Sequence, residues 1–158
     1  MLKILILCTG NSCRSVMAEG LLNHYGNGLV QAFSAGSFPV GKVHPESLAT
    51  LNRHGLPDSG YRSKSWDEFL DQKIDIVITV CDNAAGETCP LFVGSPIKAH
   101  WGVPDPAHFE GSPAEIEAEF DRVFLMLKKR VDAFLSLPIK QMSLTEIHQK
   151  LKEIGNSL

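Results

Sequence analysis

The chain opens on an apolar run. Leu2 to Leu7 is interrupted only by Lys3, so it reads as a strand buried on both faces, and therefore as a central strand. The next eight residues, Cys8-Thr9-Gly10-Asn11-Ser12-Cys13-Arg14-Ser15, are mostly small and polar. After them apolar positions recur at helical spacing, and the pattern predicts a helix from Ser15 to Tyr25 that stops at Gly26. Val30 to Ser34 alternates into a second strand ending at Ala35-Gly36-Ser37. Pro45 to His54 is a second helix, with proline in its first turn and Gly55 behind it. His54 reads as a partner for that helix's C-terminal dipole or as a solvated residue. Ser65-Trp66-Asp67-Glu68 is a capping box that opens a short helix to Gln72. Ile74 to Val80, nearly all apolar and β-branched, is a third strand. It ends at Cys81 as the first strand ends at Cys8, and in a parallel sheet two such ends lie at one edge. Asp82 to Thr88 is a loop or frayed helix that leads to Cys89-Pro90.

Ile97 to Trp101 is the fourth strand. Val103-Pro104-Asp105-Pro106 is a stiff turn, because each proline fixes its φ. Ser112-Pro113-Ala114-Glu115 joins a capping box to a proline at the first helical position. Phe120, Val123, Phe124, Leu127, Val131 and Phe134 follow at spacings of three and four, so this helix packs on the sheet. Past Pro138, Ser143-Leu144-Thr145-Glu146 is another capping box, with Met142 and Ile147 placed as a hydrophobic staple. Leu144, Ile147, Leu151 and Ile154 form the stripe of a last helix that docks on the body or on a partner. Neither repeats nor a linker interrupt the chain. The expectation is one domain, with residues 1–137 as its body and 138–158 as a C-terminal helical extension. Strands alternating with helices imply a three-layer α/β sandwich on a mostly parallel four-stranded sheet.

A chain of 158 residues builds one core without staples, and 44% apolar with 21% charged residues is ordinary for a soluble globule. The net charge of −3 gives no reason to expect nucleic acid or an anionic membrane as partner. No apolar run approaches a membrane span, and the N-terminal run carries no signal-peptide cleavage site. The expected location is the cytoplasm. There the four cysteines read as catalytic, redox or metal-binding thiols before structural ones.

The candidate chemistry starts where the first strand ends. The backbone N–H groups of Thr9, Gly10, Asn11, Ser12 and Cys13, with the start of the helix, converge as a nest for a tetrahedral oxyanion. Arg14 adds a planar fork that clamps two anion oxygens. The same field predicts a depressed pKa and nucleophilic character for Cys8, with Ser15 donating to its thiolate. Gly10 and Asn11 tolerate the left-handed backbone such a turn needs. Cys13 lines the loop while its side chain packs. Asp105, on its stiff turn, is placed to give a proton to a leaving oxygen; the alternative is an aspartate that only caps the turn. Cys81 and Cys89 carry a further distinction. Hydrolysis through a thiophosphate needs one cysteine, whereas reduction of an oxyanion needs two electrons. A second thiol can supply them by attacking the adduct-bearing thiol, and a third can carry the disulfide onward. Cys8, Cys81 and Cys89 suit that relay. The competing readings are two buried space-filling cysteines, or a zinc site of Cys81, Cys89 and His100 or His108, which no paired CxxC spacing supports.

The run CTGNSCRS followed by MAEG resembles the phosphate loop of the low-molecular-weight protein phosphatase superfamily, and most of all its arsenate reductase branch. The pair in VCDNAAGETCP and the acid in WGVPDPA extend the resemblance to about Leu137. It implies strand order 2-1-3-4. It implies that Cys8 attacks arsenate while Asp105 assists loss of water, that Cys81 attacks Cys8 to release arsenite, and that Cys89 then pairs with Cys81. Thioredoxin would reduce that disulfide, phosphate and sulfate would compete with arsenate, and no cofactor would be bound beyond the external thiol reductant. Three positions depart from the pattern. Ala107 and His108 stand where phosphotyrosine phosphatases carry tyrosines, which argues against phosphotyrosine as main substrate. The cysteine pair is one residue wider than in some thioredoxin-linked members, so glutaredoxin with glutathione, or mycothiol, are alternative donors. Asn11, Glu19 and Ser34 match a potassium site of some relatives, but Ser65 stands at its aspartate position, so no metal is expected. Two other readings remain at this stage: a phosphatase using Cys8, Arg14 and Asp105 alone, and a non-catalytic oxyanion or redox sensor.

Overall fold

The computed structural model describes residues 1–81 and 92–157. Four strands, β1 (Leu2–Cys8), β2 (Val30–Gly36), β3 (Ile76–Thr79) and β4 (Ile97–His100), form one parallel sheet in the order 2-1-3-4. The described α-helices are α1 (Arg14–Tyr25), α2 (Pro45–Arg53), α3 (Pro113–Leu135) and α4 (Leu144–Ser157). β1 is paired on both sides, as a strand with two apolar faces should be. Its alternation divides the core. Ile4 and Ile6 join a large cluster to which all four helices contribute, while Leu5 and Leu7 meet Phe69, Ile74, Val77 and Phe92 on the other face.

Two elements are shorter than their patterns. Ile74 is buried but precedes β3, because the Asp75 carboxylate takes the Lys3 N–H at 2.8 Å in place of a strand carbonyl. The helix expected from Ser65 to Gln72 is a single 3-10 turn, Trp66–Phe69. Ser65 Oγ accepts the N–H of Asp67 at 3.1 Å, and the turns that follow close tightly, with Gln72 N–H on Phe69 O at 3.1 Å. His54, half-buried at the C-terminal end of α2, has partners beyond the helix dipole. It stacks on Phe124 at 4.2 Å and places Nε2 3.1 Å from Asp121.

The two later capping boxes form as read. Ser112 and Glu115 exchange both bonds, as do Ser143 and Glu146. The core positions of α3 from Phe120 to Phe134 are all buried. On α4, Ile147, Leu151 and Ile154 are buried while Leu144 is exposed. This helix docks on the chain's own body against β4, the edge strand. His148 Nε2 meets Lys98 O at 3.0 Å, and Trp101 Nε1 donates to Leu151 O at 3.1 Å. Among the described residues no helix is long and apolar enough to cross a membrane.

Candidate active site

Parallel register decides what meets at the carboxyl edge. Leu7 pairs with Thr79, so Cys8 and Cys81 emerge side by side just past their strands. Cys8 pairs with Gly36, where a Cβ would lie 2.4 Å from the Thr9 carbonyl, so only glycine lets the turn pass.

The loop after Cys8 turns its carbonyls outward, into protein. Thr9 O accepts from Phe38 N at 3.0 Å, and Gly10 O from Val40 N at 3.1 Å and Ser63 Oγ at 3.0 Å. Ser12 O accepts from His44 N at 3.1 Å and Ser47 Oγ at 3.2 Å, and Cys13 O from Met17 N at 3.0 Å. With the carbonyls engaged outside, the N–H edges face the cleft. The Cys13 side chain does not cap α1, and Cys13 and Arg14 line the cleft, so the start of that helix lies at the cleft with no side-chain cap. One residue of the loop is left-handed. Asn11 sits at φ 49°, whereas Gly10 keeps an ordinary φ. Fully buried, Asn11 donates to Ser15 Oγ at 2.8 Å and Ser34 Oγ at 2.9 Å and accepts from Lys64 N at 2.9 Å. Ser34 in turn donates to Glu19. Burial pushes the Glu19 carboxyl above the usual range, opposed by Ser34 and the Lys64 ammonium. The potassium candidates Asn11, Glu19 and Ser34 thus form a hydrogen-bonded chain, and Ser65 is engaged in its own turn. Among the described residues no group of three or more His, Cys, Asp or Glu is disposed to hold a metal.

The loop lines a cleft of about 370 Å³, bounded also by Phe38, Val40, Asp105 and His108. Arg14 Nη1 donates to Val103 O at 3.0 Å, and Nη2 lies 3.4 Å from Asp105 Oδ2. Among the described residues its Nε, though buried, has no hydrogen-bond partner. Such a donor costs about 1–3 kcal/mol, and an anion oxygen in the cleft would satisfy it. Asp105 caps its turn with one carboxylate oxygen and turns the other to the cleft. Oδ1 accepts from Ala107 N at 2.9 Å and caps a 3-10 turn, while Oδ2 faces Arg14 and lies 3.3 Å from His108 Nε2.

The thiols correct one expectation. Cys8, Cys13 and Cys81 are buried, and no disulfide joins one of the three to another. Cys81 is hydrogen-bonded to Cys8, and its Sγ lies 3.7 Å from Thr9 Oγ1. The Cys8 thiol is raised, not depressed. The Cys81 hydrogen bond pushes it up most, then burial, against the pull of Arg14 and the Thr9 amide. Two thiols in a dry site resist ionising together, and Asp105 offsets part of the Arg14 charge. Ser15 is not among the groups that act on Cys8; its hydroxyl accepts from Asn11 and serves the loop. Cys13 packs in the large core cluster, and burial raises its thiol. Cys89 lies outside the described residues.

Several bracing residues carry no pattern that singles them out: Ser47, Ser63 and Lys64 behind the loop, Trp101 and Arg130 behind the acid. Their work is done through hydrogen bonds from distant stretches. The only local hint is the polar run Ser63-Lys64-Ser65 beside a predicted cap.

A strand-end thiol in a cradle of amides, on a 2-1-3-4 sheet, already narrows the class. A family model confirms it: the chain belongs to the low molecular weight phosphotyrosine protein phosphatase family, matched over residues 3–152. Arsenate reductases of that family are among its relatives. It is 40% identical over 131 residues to an arsenate reductase of Halalkalibacterium halodurans, covering 83% of this chain and 93% of that one. Among solved structures it is similar to an arsenate reductase in the phosphate binding state, with TM-score 0.71, 31% identity and coverage of 86% and 98%. It is also similar to a thioredoxin-dependent arsenate reductase of Corynebacterium glutamicum, with TM-score 0.59, 30% identity and coverage of 87% and 64%.

Proposed function

We propose that the chain is an arsenate reductase working through a Cys8–Cys81–Cys89 relay. The observation that carries this reading is the second thiol, Cys81, hydrogen-bonded to the nucleophile at the edge of an anion cradle. Hydrolysis has no use for it.

Arsenate is gripped by the loop amides and Arg14. The Cys8 sulfur attacks arsenic, an S–As bond forms, and one As–O bond breaks. The departing oxygen leaves as water on the proton of Asp105. Cys81 then attacks the Cys8 sulfur. An S–S bond forms, and the electron pair of the S–As bond stays with arsenic. Arsenic drops from the pentavalent to the trivalent state and departs as arsenite. Cys89 attacks Cys81, Cys8 returns as a thiol, and an external dithiol protein reduces the Cys81–Cys89 disulfide. No bound cofactor is called for. A thioredoxin is favoured as donor by the similarity to a thioredoxin-dependent relative. A reducing compartment such as the cytoplasm suits three thiols that must start reduced.

The test is steady-state arsenate turnover with purified thioredoxin or glutaredoxin systems, followed by NADPH consumption. Cys8→Ser is expected to abolish turnover. Cys81→Ser and Cys89→Ser are expected to block reduction and to spare any hydrolysis of a chromogenic phosphate ester. Arsenate turnover that survives Cys81→Ser would overturn the relay.

A further inference from the structure

Three elements hold the loop that carries Asp105. Arg14 of α1 takes Val103 O at 3.0 Å, Arg130 of α3 gives Nη1 to Gly102 O at 2.9 Å, and Leu151 O of α4 takes the Trp101 indole N–H at 3.1 Å. The third hold ties the acid loop to the C-terminal helix, well outside the catalytic motifs. Trp101 is fully buried, edge-on to Phe134, and only four residues before Asp105. Its backbone is fixed as well, with Trp101 N–H on Thr79 O at 2.7 Å.

The helix presses on this point a second time. At Gly155 an added Cβ would lie 2.4 Å from His100 O and 3.0 Å from Trp101 Cδ1. Glycine is what allows the close approach, and two turns of α4 therefore bear on one tryptophan. Between Trp101 and the acid, Pro104 restricts the backbone, and Pro106 fixes the far side.

We propose that Trp101 is a positioning residue for Asp105 and that α4 is its anchor. The C-terminal helix then sets how far the acid reaches over the anion cradle. This rests on Asp105 giving its proton to the departing oxygen. Trp101 touches neither arsenate nor the thiols. Its loss misplaces the acid while Arg14 and the loop amides keep their grip on the anion.

The experiment uses the full reduced chain without added reductant, so that each molecule turns over once, and measures arsenite formed against arsenate concentration. Trp101→Phe keeps a ring and removes the N–H. It is expected to lower the saturating rate about tenfold and to move the half-saturating arsenate concentration less than about twofold. Gly155→Ala leaves Trp101 intact and displaces α4; it is expected to act in the same direction, and it serves if Trp101→Phe does not fold. The deciding comparison is Trp101→Phe in an Asp105→Asn background. Misplacing an acid that is absent costs nothing, so the further loss is expected to be under about twofold. An equal loss in both backgrounds means a general structural role and overturns the proposal. So does a wild-type rate for Trp101→Phe where Asp105→Asn is slow, an outcome that leaves the acid reading standing. A wild-type rate for Asp105→Asn itself would remove the acid reading along with it.

Discussion

Asn11 is the residue on which the anion loop turns, and replacing it with alanine has a computable cost. Its side chain makes three buried hydrogen bonds, at 2.8, 2.9 and 2.9 Å, to Ser15, Ser34 and the Lys64 amide. Each contributes about 0.5–1.5 kcal/mol net, and stranded partners in a fully buried site place the loss toward the upper end. Alanine must also hold φ near 49°, which it tolerates less well than asparagine because it has no side-chain amide to bond locally. Asn11→Ala should therefore destabilise the chain by about 4 kcal/mol, a large share of the roughly 5–15 kcal/mol typical of a domain. Asn11→Gly loses the same bonds without the φ penalty and should recover about 1–2 kcal/mol of that loss. Urea unfolding at constant slope reads both differences from the midpoints. A loss below about 1 kcal/mol for Asn11→Ala would refute the reasoning, as would a glycine variant no more stable than the alanine one.

Three further outcomes follow from the site. Cys81→Ala removes the largest upward push on Cys8, so alkylation of Cys8 should quicken at neutral pH and its pH profile should shift downward; an unmoved profile would clear Cys81 of that role. Phosphate at about a hundred times its dissociation constant should add about 2.7 kcal/mol of stability and raise the melting temperature by roughly 5–10 °C. Arg14→Lys should lose most of that gain, and a melting temperature indifferent to phosphate would remove the cradle. Glu19 is raised by burial, so its contribution to stability is fully present below the ordinary value of 4.5 and is lost as pH rises through the folded value. Glu19→Gln should therefore gain on the wild type as pH climbs through that window, and parallel stability curves would contradict the assignment.

How much of this was legible beforehand varies by scale. β1 could be read because its burial is two-sided and its run continuous. Both late helices could be read because proline, serine and glutamate mark their starts. Strand order was not in the periodicity at all and came through the family resemblance. The 3-10 turn at Trp66 was missed because a capping box specifies a start and says nothing of how tightly the next turn winds. Cys8, Arg14, Asp105 and Cys81 were legible because strand ends and stiff turns deliver them to one edge. The state of Cys8 was not, since its upward shift depends on a hydrogen bond across 73 positions of sequence, from Cys8 to Cys81. Ser63 and Lys64 brace the loop from an irregular stretch where no period could have flagged them.

The outward carbonyls of the anion loop have one more implication. A peptide flip there would break a bond to Phe38, Val40, His44 or Met17 and aim a lone pair at the incoming charge. The receptor is therefore shaped when the chain folds, before any anion arrives. Capture becomes a matter of diffusion and field, without a rearrangement to wait for. The encounter rate should respond to ionic strength far more than to viscosity of the protein interior.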